Sequence, residues 1–288
     1  MSSDERRSLR RTRSVTASIN DWSIKITRAI IRRLIAERTT FRGGATNDGR
    51  ATLLTVNFRS DEDVARLVTS FRRFVSRTWP VVVVDNSGLR RSIGMGAKVV
   101  GVHRNLHHGL GLDFGMRWVS TEYVLICDPD SVIVGPLWPQ LERRISEHGI
   151  ASIDIGSEIY HPMCLAFKTS TWKQNPLSLQ ENWSAGHDVA GALTAHFGGL
   201  DDDALIKRTR GAGPKLQSRR PGKFHHMGEV YAESFSNTLG GSRASQGADA
   251  FGKEEGSFHA ILSYQGRWRQ WAESYVAGTA SLDDFPLE

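Results

Sequence analysis

Two aspartates separated by one proline, Asp128-Pro129-Asp130, are the residues of this chain best suited to hold a metal ion. They follow the apolar run Tyr-Val-Leu-Ile-Cys, which is typical of a buried strand. Carboxylate oxygens are the ligands that hard divalent cations prefer, and such a cation can neutralise a leaving diphosphate. Asp-Pro-Asp also forms turns readily, so a plain turn is the alternative interpretation.

Polar residues close two further apolar runs in the first half of the chain. Asn57 follows Leu-Leu-Thr-Val, and Asp85 follows four consecutive valines. Ligands of open α/β sheets bind outside the carboxyl ends of the strands. The three positions Asn57, Asp85 and Asp128 therefore predict a site across this edge of a sheet.

The pattern of apolar residues predicts an α/β fold, with a mostly parallel central sheet and helices on both of its faces. Strands and helices alternate from Ala51 onward, and an amphipathic helix is expected at the C-terminus, where core packing or dimerisation is favoured over sugar binding. The predicted strands are 53–58, 81–84, 98–102, 123–127 and 161–167, and the predicted helices begin within residues 60–63, at Gly109 and at Ser257.

The positive charge of the chain is concentrated at its N-terminus. The whole chain of 288 residues has a net charge of +6. Residues 1–42 contain eleven Lys or Arg and four Asp or Glu, which leaves the remainder at −1. Because nucleic-acid-binding domains carry clustered Lys and Arg, the body of the protein is not expected to bind nucleic acid.

The basic leader divides into two parts. Residues 1–17 contain few large apolar residues and are predicted to be disordered. Residues 18–42 are predicted to form a basic amphipathic helix, in which Trp22, Ile26, Ile30 and Leu34 recur at helical spacing. Such a helix can lie on an anionic membrane surface, or pack on the domain or a second subunit.

No apolar stretch is long enough to span a membrane, and no secretory signal pattern is present. Cys127 and Cys164 match neither a disulfide framework nor a zinc pattern and are interpreted as structural thiols. We therefore expect a cytoplasmic protein, with possible peripheral contact at the inner membrane surface through the leader.

Four segments in order give the chain its resemblance to a known family. They are Val-Asn-Phe-Arg-Ser, then Val-Asp-Asn-Ser-Gly, then Asn105 with Gly109 and Gly111, then Cys-Asp-Pro-Asp. Over residues 51–140 the chain resembles inverting family 2 glycosyltransferases of the GT-A fold. The resemblance implies a GT-A-like nucleotide-binding fold, with a donor-binding half at 51–140 and an acceptor half at 141–288. It also implies metal-dependent transfer of a sugar from a nucleoside diphosphate to an acceptor hydroxyl.

The resemblance also implies roles for individual residues. Asp85 would accept hydrogen bonds from the base or ribose, and Asn57 and Arg59 would line the nucleoside pocket. Asp128 would contact the ribose or a metal-bound water, and Asp130 would ligate Mn²⁺ or Mg²⁺.

The glycine-rich segment has an implied role of its own. Asn105, Gly109 and Gly111 would lie beside the ribose and the donor sugar, because glycine allows a close approach of the backbone.

An inverting transfer needs a base for the acceptor hydroxyl, and the resemblance points to Asp188 at the start of a helix. The family more often has Glu-Asp there, so His187 is a departure. Asp154 and Glu158 are weaker candidates for the base. Residues 201–203 are interpreted as a solvated helix start.

Three pairs or segments containing histidine complete the candidate site. His226 is favoured over His225 as a late metal ligand, which would favour manganese. His107 and His108 are interpreted as loop residues near the donor. The resemblance places the segment that begins at His161 near the acceptor.

Other interpretations stay open at this stage. A retaining GT-A glycosyltransferase would use the same motifs, and a protein that binds membranes or nucleic acid through its leader would not need them. The donor sugar, its base, the acceptor (lipid-linked, polysaccharide or small molecule) and the oligomeric state are not determined by these residues.

Overall fold

The computed structural model describes residues 40–42, 49–87, 96–102, 105–154, 159–174, 179, 189–206, 208–210, 224–226, 229–231, 255–281 and 284–285. The strands in this part of the chain are β1 (Thr40–Arg42), β2 (Ala51–Asn57), β3 (Val81–Asp85), β4 (Lys98–Gly101), β5 (Tyr123–Cys127), β6 (Ser131–Ile133), β7 (Ile150–Ile153), β8 (Cys164–Lys168), β9 (Leu205–Ile206), β10 (Arg208–Arg210), β11 (Phe224–His226) and β12 (Glu229–Tyr231). The helices are α1 (Asp61–Phe74), α2 (His108–Gly115), α3 (Trp138–His148), α4 (Thr169–Gln174), α5 (Gly191–His196) and α6 (Glu255–Ala277).

A central sheet of eight strands has the order β1-β4-β3-β2-β5-β8-β7-β9. The four strands β4, β3, β2 and β5 are mutually parallel. Strand β8 is antiparallel to both of its neighbours, and β9 is parallel to β7. The expected α/β fold with a mostly parallel central sheet is confirmed.

Helices cover both faces of this sheet, as expected. Successive β2 residues Leu53 and Leu54 face opposite sides, because side chains alternate along a strand. Leu53 belongs to the core that includes Leu67 of α1 and Leu141 of α3. Leu54 belongs to the core that includes Leu112 of α2.

The order of the strands reverses between β2 and β5. From β2 the chain passes through α1 to β3 and on to β4, which lies farther out on the same side. It then returns through α2 to β5, on the other side of β2. Such a switch point opens a crevice at the carboxyl ends of the two strands, where ligands of α/β proteins bind.

A second sheet of order β10-β12-β11-β6 connects the switch point to the C-terminal helix. Val132 and Val134, which follow the Asp-Pro-Asp turn, share a core with Trp268, Trp271 and Tyr275 of α6. The tyrosine hydroxyl also donates a hydrogen bond to the Val134 carbonyl, at 3.2 Å. The C-terminal helix thus packs in the core of the molecule.

The C-terminal end of the leader is a strand and not the predicted helix. Residues 40–42, assigned from sequence to the amphipathic helix, form strand β1, which pairs antiparallel with β4. The rest of the leader lies outside the described residues. None of the described helices combines the length and the apolar character needed to cross a bilayer.

Candidate functional site at the carboxyl edge of the sheet

A cavity of about 490 Å³ lies at the switch point. Its volume falls in the range of about 300–1,000 Å³ that is usual for small-molecule sites. It is lined by Val56, Phe58, Ser60, Asn86, Asn105, His107, His108, Asp128, Pro129, Asp130, His161, Pro162 and Val189. The edge of the sheet predicted from sequence is therefore the edge that carries the cavity.

Asp128 and Asp130 both line this cavity, on a turn between β5 and β6. The backbone N–H of Ser131 donates to the Asp128 carbonyl at 3.1 Å, which closes the turn. The N–H of Asp128 donates to the carbonyl of Met163 at 3.2 Å. The sequence left a plain turn and a metal site as alternatives for Asp128-Pro129-Asp130. The structure is compatible with both, because the turn places both aspartates at one cavity.

His108 contacts the first of these carboxylates. Its Nε2 lies 3.0 Å from Asp128 Oδ1, and both side chains are largely buried. His108 is the first residue of α2, whereas the sequence placed it in a loop near the donor. The spacing in the sequence does not indicate this contact, because the two residues are twenty positions apart and only the return of α2 to the sheet brings them together.

Phe58 is the side chain that sequence reasoning missed. It was expected to end a buried strand, yet β2 ends at Asn57 and the Phe58 side chain is 47 % exposed. The ring lines the cavity, and the guanidinium of Arg59 lies 5.3 Å from its centroid. Arg59 has a φ of 59°, which a residue other than glycine rarely adopts, so the chain leaves the strand abruptly here.

Asn57 is expected from the sequence to line the nucleoside pocket. In the structure it is not a lining residue but supports the residues around it. It is fully buried, and its Nδ2 donates to Asp61 Oδ1 at 2.8 Å and to Asp85 Oδ1 at 3.2 Å. Its Oδ1 accepts from the backbone N–H of Ser60 at 3.0 Å. Asn57 thereby ties the end of β2 to the start of α1 and to β3.

Asp85 is also buried and is not among the residues that line the cavity. Its Oδ1 accepts from the backbone N–H of Ser87 at 3.0 Å, as well as from Asn57. The next residue, Asn86, does line the cavity. The lining position at the end of β3 is thus one residue later than the one inferred from sequence.

The glycine-rich segment divides into a cavity residue and two helix residues. Asn105 lines the cavity and accepts from the backbone N–H of His107 at 2.9 Å. Gly109 and Gly111 are buried in α2 and are not lining residues. A Cβ atom at Gly111 would lie 3.0 Å from the methyl groups of Val56, so the close approach that this glycine permits is between helix and strand.

His161 and Pro162 form the side of the cavity next to β8. Strand β8 begins only at Cys164, so these two residues lie in the preceding turn, not in the expected strand. The backbone N–H of Met163 donates to His161 Nδ1 at 3.2 Å. In the neutral imidazole the proton therefore resides on Nε2, which is then a hydrogen-bond donor.

Two buried thiols lie behind the turn. Cys127 and Cys164 are free and directly opposite each other on β5 and β8. Burial, with a smaller contribution from Cys164, raises the pKa of the Cys127 thiol. The thiol form is thereby favoured, as expected of structural cysteines.

His225 has a structural role in the C-terminal core. It is fully buried, its Nδ1 accepts from Trp268 Nε1 at 3.0 Å, and its ring stacks on Trp271 at 5.4 Å. His226 follows it on β11, where its Cα pairs with that of Ser131, the residue after Asp130. His225 therefore packs in the core, and metal binding by His226 stays a prediction.

Of the candidates for the residue that deprotonates the acceptor hydroxyl, only Asp154 lies among the described residues. Asp188, His187 and Glu158 lie outside the described residues, but Val189, which follows Asp188, lines the cavity. Asp154 is half-buried at the end of β7 and is not a lining residue.

The acidic run at 201–203 lies at the start of a short 3₁₀ helix, Asp202–Ala204, as expected. Its residues are exposed, and Asp201 accepts from the backbone N–H of Asp203 at 3.0 Å. Within the described part of the chain, no group of three or more His, Cys, Asp or Glu residues is arranged to hold a metal ion.

Comparison with known proteins gives no match by sequence: neither a protein family nor a curated protein matches the chain. Among solved structures, TarS of S. aureus in complex with UDP-GlcNAc is similar over 45% of this chain and 48% of its own, at 15% identity and a TM-score of 0.38. The mannosyltransferase PcManGT of Pyrobaculum calidifontis, in complex with GDP-Man and Mn²⁺, is similar over 57% of each chain, at 12% identity and a TM-score of 0.37. The glycosyltransferase GlyE of Streptococcus pneumoniae is similar over 55% of this chain and 44% of its own, at 15% identity and a TM-score of 0.39. The matches thus span about half the length of these proteins.

Proposed function

We propose that this protein is a glycosyltransferase that moves a sugar from a nucleoside diphosphate donor to an acceptor hydroxyl. One observation carries the proposal: a single cavity at the switch point of a mostly parallel sheet is lined by both carboxylates of Asp128-Pro129-Asp130 and by the exposed ring of Phe58. A nucleoside diphosphate needs such a combination, with a place for its phosphates and a flat apolar surface for its base.

The carboxylate oxygens that the Asp128-Pro129-Asp130 turn offers are suitable ligands for a divalent metal ion. Mg²⁺ is commonly held by one or two carboxylates together with substrate phosphates, so it does not need three ligands from the protein. Asp130 and Asp128 would supply these carboxylates, and the register of His226 beside Ser131 supports it as a third ligand. A metal bound here would stabilise the negative charge of the leaving diphosphate.

The nucleoside is assigned to the ends of β2 and β3. Phe58 offers a ring on which a base can stack, and Asn86 and Asn105 offer polar groups beside it. Asp85 supports this wall, because its carboxylate accepts a hydrogen bond from the backbone N–H of Ser87 in the turn that also contains Asn86. Arg59 lies beside the Phe58 ring, where its charge is close to the nucleotide.

The acceptor is assigned to the side of the cavity formed by His161, Pro162 and Val189. We propose that Asp188 removes the proton from the acceptor hydroxyl while the hydroxyl oxygen attacks the anomeric carbon of the donor. This attack displaces the nucleoside diphosphate and inverts the configuration at the anomeric carbon. The position of Val189 supports this, because the chain next to Asp188 reaches the cavity. His161 would donate a hydrogen bond to a substrate oxygen through Nε2.

The test is a thermal-shift panel of UDP-, GDP- and dTDP-sugars with and without Mn²⁺ or Mg²⁺. A donor present at 100 times its Kd stabilises the folded protein by about 2.7 kcal/mol. We expect one donor class to raise the Tm of the wild type, and the metal to increase this shift. If no nucleoside diphosphate sugar stabilises the protein with either metal, the proposal is wrong.

The metal assignment is tested by Asp130→Ala, with the exposed Asp202→Ala as the matched control. We expect the metal-dependent part of the shift to disappear in Asp130→Ala and to remain in Asp202→Ala. Once a transferred product is obtained, the anomeric configuration read by NMR distinguishes inversion from retention. A retained configuration would contradict the role of Asp188.

We also propose that the basic leader brings the enzyme to a membrane surface from the cytoplasmic side. Each Lys or Arg near an anionic surface contributes roughly 1 kcal/mol to binding. Co-sedimentation of the full chain with vesicles of anionic and of neutral lipid tests this, with a chain that lacks residues 1–39 as the control. Equal sedimentation of the two chains would contradict it.

A further inference from the structure

Helix α2 carries a buried carboxylate that the proposed reaction does not use. Asp113 lies in the second half of this helix, is only 3 % exposed and is not among the residues that line the cavity. A buried carboxylate is costly unless it accepts hydrogen bonds. The donors that Asp113 has found therefore indicate what this side chain holds in place.

Asp113 accepts two hydrogen bonds from the second half of the chain. Its Oδ1 accepts from the backbone N–H of Leu179 at 3.0 Å. The same oxygen accepts from the indole N–H of Trp172, in α4, at 3.4 Å. Because the nearer donor is a main-chain group 66 positions away, Asp113 fixes the backbone of that segment against α2.

Leu179 in turn holds the start of α5. Its carbonyl accepts from the backbone N–H of Ala190 at 3.4 Å, and both residues are fully buried. Ala190 directly precedes α5 and has a φ of 66°, which a residue other than glycine rarely adopts. Such a conformation persists only where the surroundings hold it, and the hydrogen bond to Leu179 is one of these constraints.

The residue next to Ala190 reaches the cavity. Val189 lines it, and the proposed base Asp188 directly precedes Val189 in the sequence. A continuous series of contacts therefore runs from Asp113 through Leu179 and Ala190 to the acceptor side of the cavity.

The same helix also reaches the opposite side of the cavity. His108, the first residue of α2, contacts Asp128 of the Asp-Pro-Asp turn. Helix α2 thus connects the turn that is proposed to hold the metal with the segment that forms the acceptor side. Transfer requires the attacking and leaving groups to be aligned, and a displacement of about 1 Å can lower the rate roughly 100-fold.

We propose that Asp113 is a positioning residue for the transfer reaction. Through Leu179 and Ala190 it fixes the acceptor side of the cavity, and with it the proposed base, relative to the carboxylates of the Asp-Pro-Asp turn. This inference rests on the proposed function. It adds a residue that controls the rate of transfer without contributing to the binding of the donor.

Three variants separate this role from a purely structural one. Asp113→Ala removes the acceptor of the Leu179 N–H, whereas Asp113→Asn keeps an oxygen that can accept it. Thr52→Ala is the matched control, because it removes a buried hydrogen bond, to Thr121 at 2.7 Å, at the end of β2 that is distant from the cavity. The Tm of each variant shows that it is folded. If Asp113→Ala does not fold, Asp113→Leu, which fills the space but offers no acceptor, takes its place.

Three measurements are made on the wild type and on each variant with Mn²⁺ present. Calorimetry gives the Kd of UDP and of GDP. Release of these nucleotides from UDP-glucose, UDP-GlcNAc and GDP-mannose gives kcat and KM. Here water is the acceptor: its oxygen bonds to the anomeric carbon, the bond to the diphosphate breaks, and the free sugar is formed. Hydrogen exchange of the peptide that contains Leu179 reports on the N–H that Asp113 holds.

For Asp113→Ala, we expect kcat to fall about 10- to 100-fold, as for a misplaced catalytic group, while the Kd of the nucleotide changes less than about twofold. The Leu179 peptide should exchange faster. Asp113→Asn should restore most of kcat and slow this exchange, and Thr52→Ala should lower the Tm and leave kcat unchanged.

An unchanged kcat in a folded Asp113→Ala would overturn the inference and leave the proposed function intact. An equal loss of kcat in Thr52→Ala, or in Asp113→Asn, would do the same. A wild type that neither binds UDP or GDP nor releases them from the three sugar donors would overturn the proposed function together with this inference.

Discussion

At the scale of single residues, the cavity separates groups that face a ligand from groups that support them. Asp128, Asp130 and Phe58 line it, whereas Asn57 and Asp85 are buried beneath its wall. The hydrogen bonds of Asn57 to Asp61 and Asp85 join two strand ends and a helix start. A strand-end polar residue can therefore be essential to this edge of the sheet without touching the ligand.

Phe58 gives a prediction at this scale. Stacking of one base on an aromatic ring contributes about 1–3 kcal/mol, so Phe58→Leu should weaken nucleoside diphosphate binding by roughly 5- to 100-fold. Phe58→Tyr, which keeps the ring, should bind nearly as well as the wild type. Because Phe58 is half-exposed, neither variant should change the Tm of the free protein by much. Equal Kd values for Phe58→Leu and Phe58→Tyr, measured by calorimetry, would contradict the stacking role.

At the scale of secondary-structure elements, α2 decides the shape of the site. It carries the chain back across the sheet, and its first turn brings His108 to Asp128. Two glycines on one side of the helix, Gly111 and Gly115, let it lie directly on β2 and β3. A Cβ at Gly115 would lie 2.4 Å from a methyl carbon of Leu54 and 2.9 Å from one of Val84.

We therefore expect Gly115→Ala to lower the free energy of unfolding by about 1–3 kcal/mol, as overpacking does in a well-packed core. The control is Gly266→Ala in α6, where a Cβ would meet no atom within 4 Å. Alanine favours a helix over glycine by about 1 kcal/mol, so this variant should be slightly more stable than the wild type. Urea denaturation measures both, and a stabilised Gly115→Ala would show that α2 is not held close to the sheet.

At the scale of the whole molecule, the C-terminal helix supports the strand that follows the Asp-Pro-Asp turn. Trp268 is fully buried, shares a core with Val132, and donates to His225 Nδ1. Helix α6 also contacts α1, where Arg66 forms ion pairs with Asp63 and Glu273. Residues more than a hundred positions apart thus hold the region after the turn.

Trp268→Ala should accordingly lower the free energy of unfolding by about 3–5 kcal/mol, the usual cost of removing a buried tryptophan side chain. Its neighbour Arg267 is exposed, so Arg267→Ala should change the stability by less than about 0.5 kcal/mol. Urea denaturation of the two variants gives the comparison. Similar stabilities would mean that α6 does not pack on β6.

The sequence alone determined the strands and helices of the parallel half of the sheet, and the edge of the sheet on which the cavity lies. Strand β5 was predicted with its observed bounds, and α1 begins at Asp61, within the helix start predicted at residues 60–63. These features depend on local patterns: continuous apolar runs form buried strands, and polar residues follow them where the strands end. The two carboxylates of the turn also follow from local sequence, since a single residue separates them.

Only the tertiary structure decided which side chains face the cavity. The contact of His108 with Asp128, the exposure of Phe58 and the burial of Asn57 and His225 all depend on segments that are distant in sequence. Composition and spacing do not encode such contacts, because they arise when the order of strands reverses and a helix returns across the sheet. For the same reason Asp113, which looks like an ordinary polar residue of a helix in the sequence, becomes a buried acceptor for a distant backbone N–H.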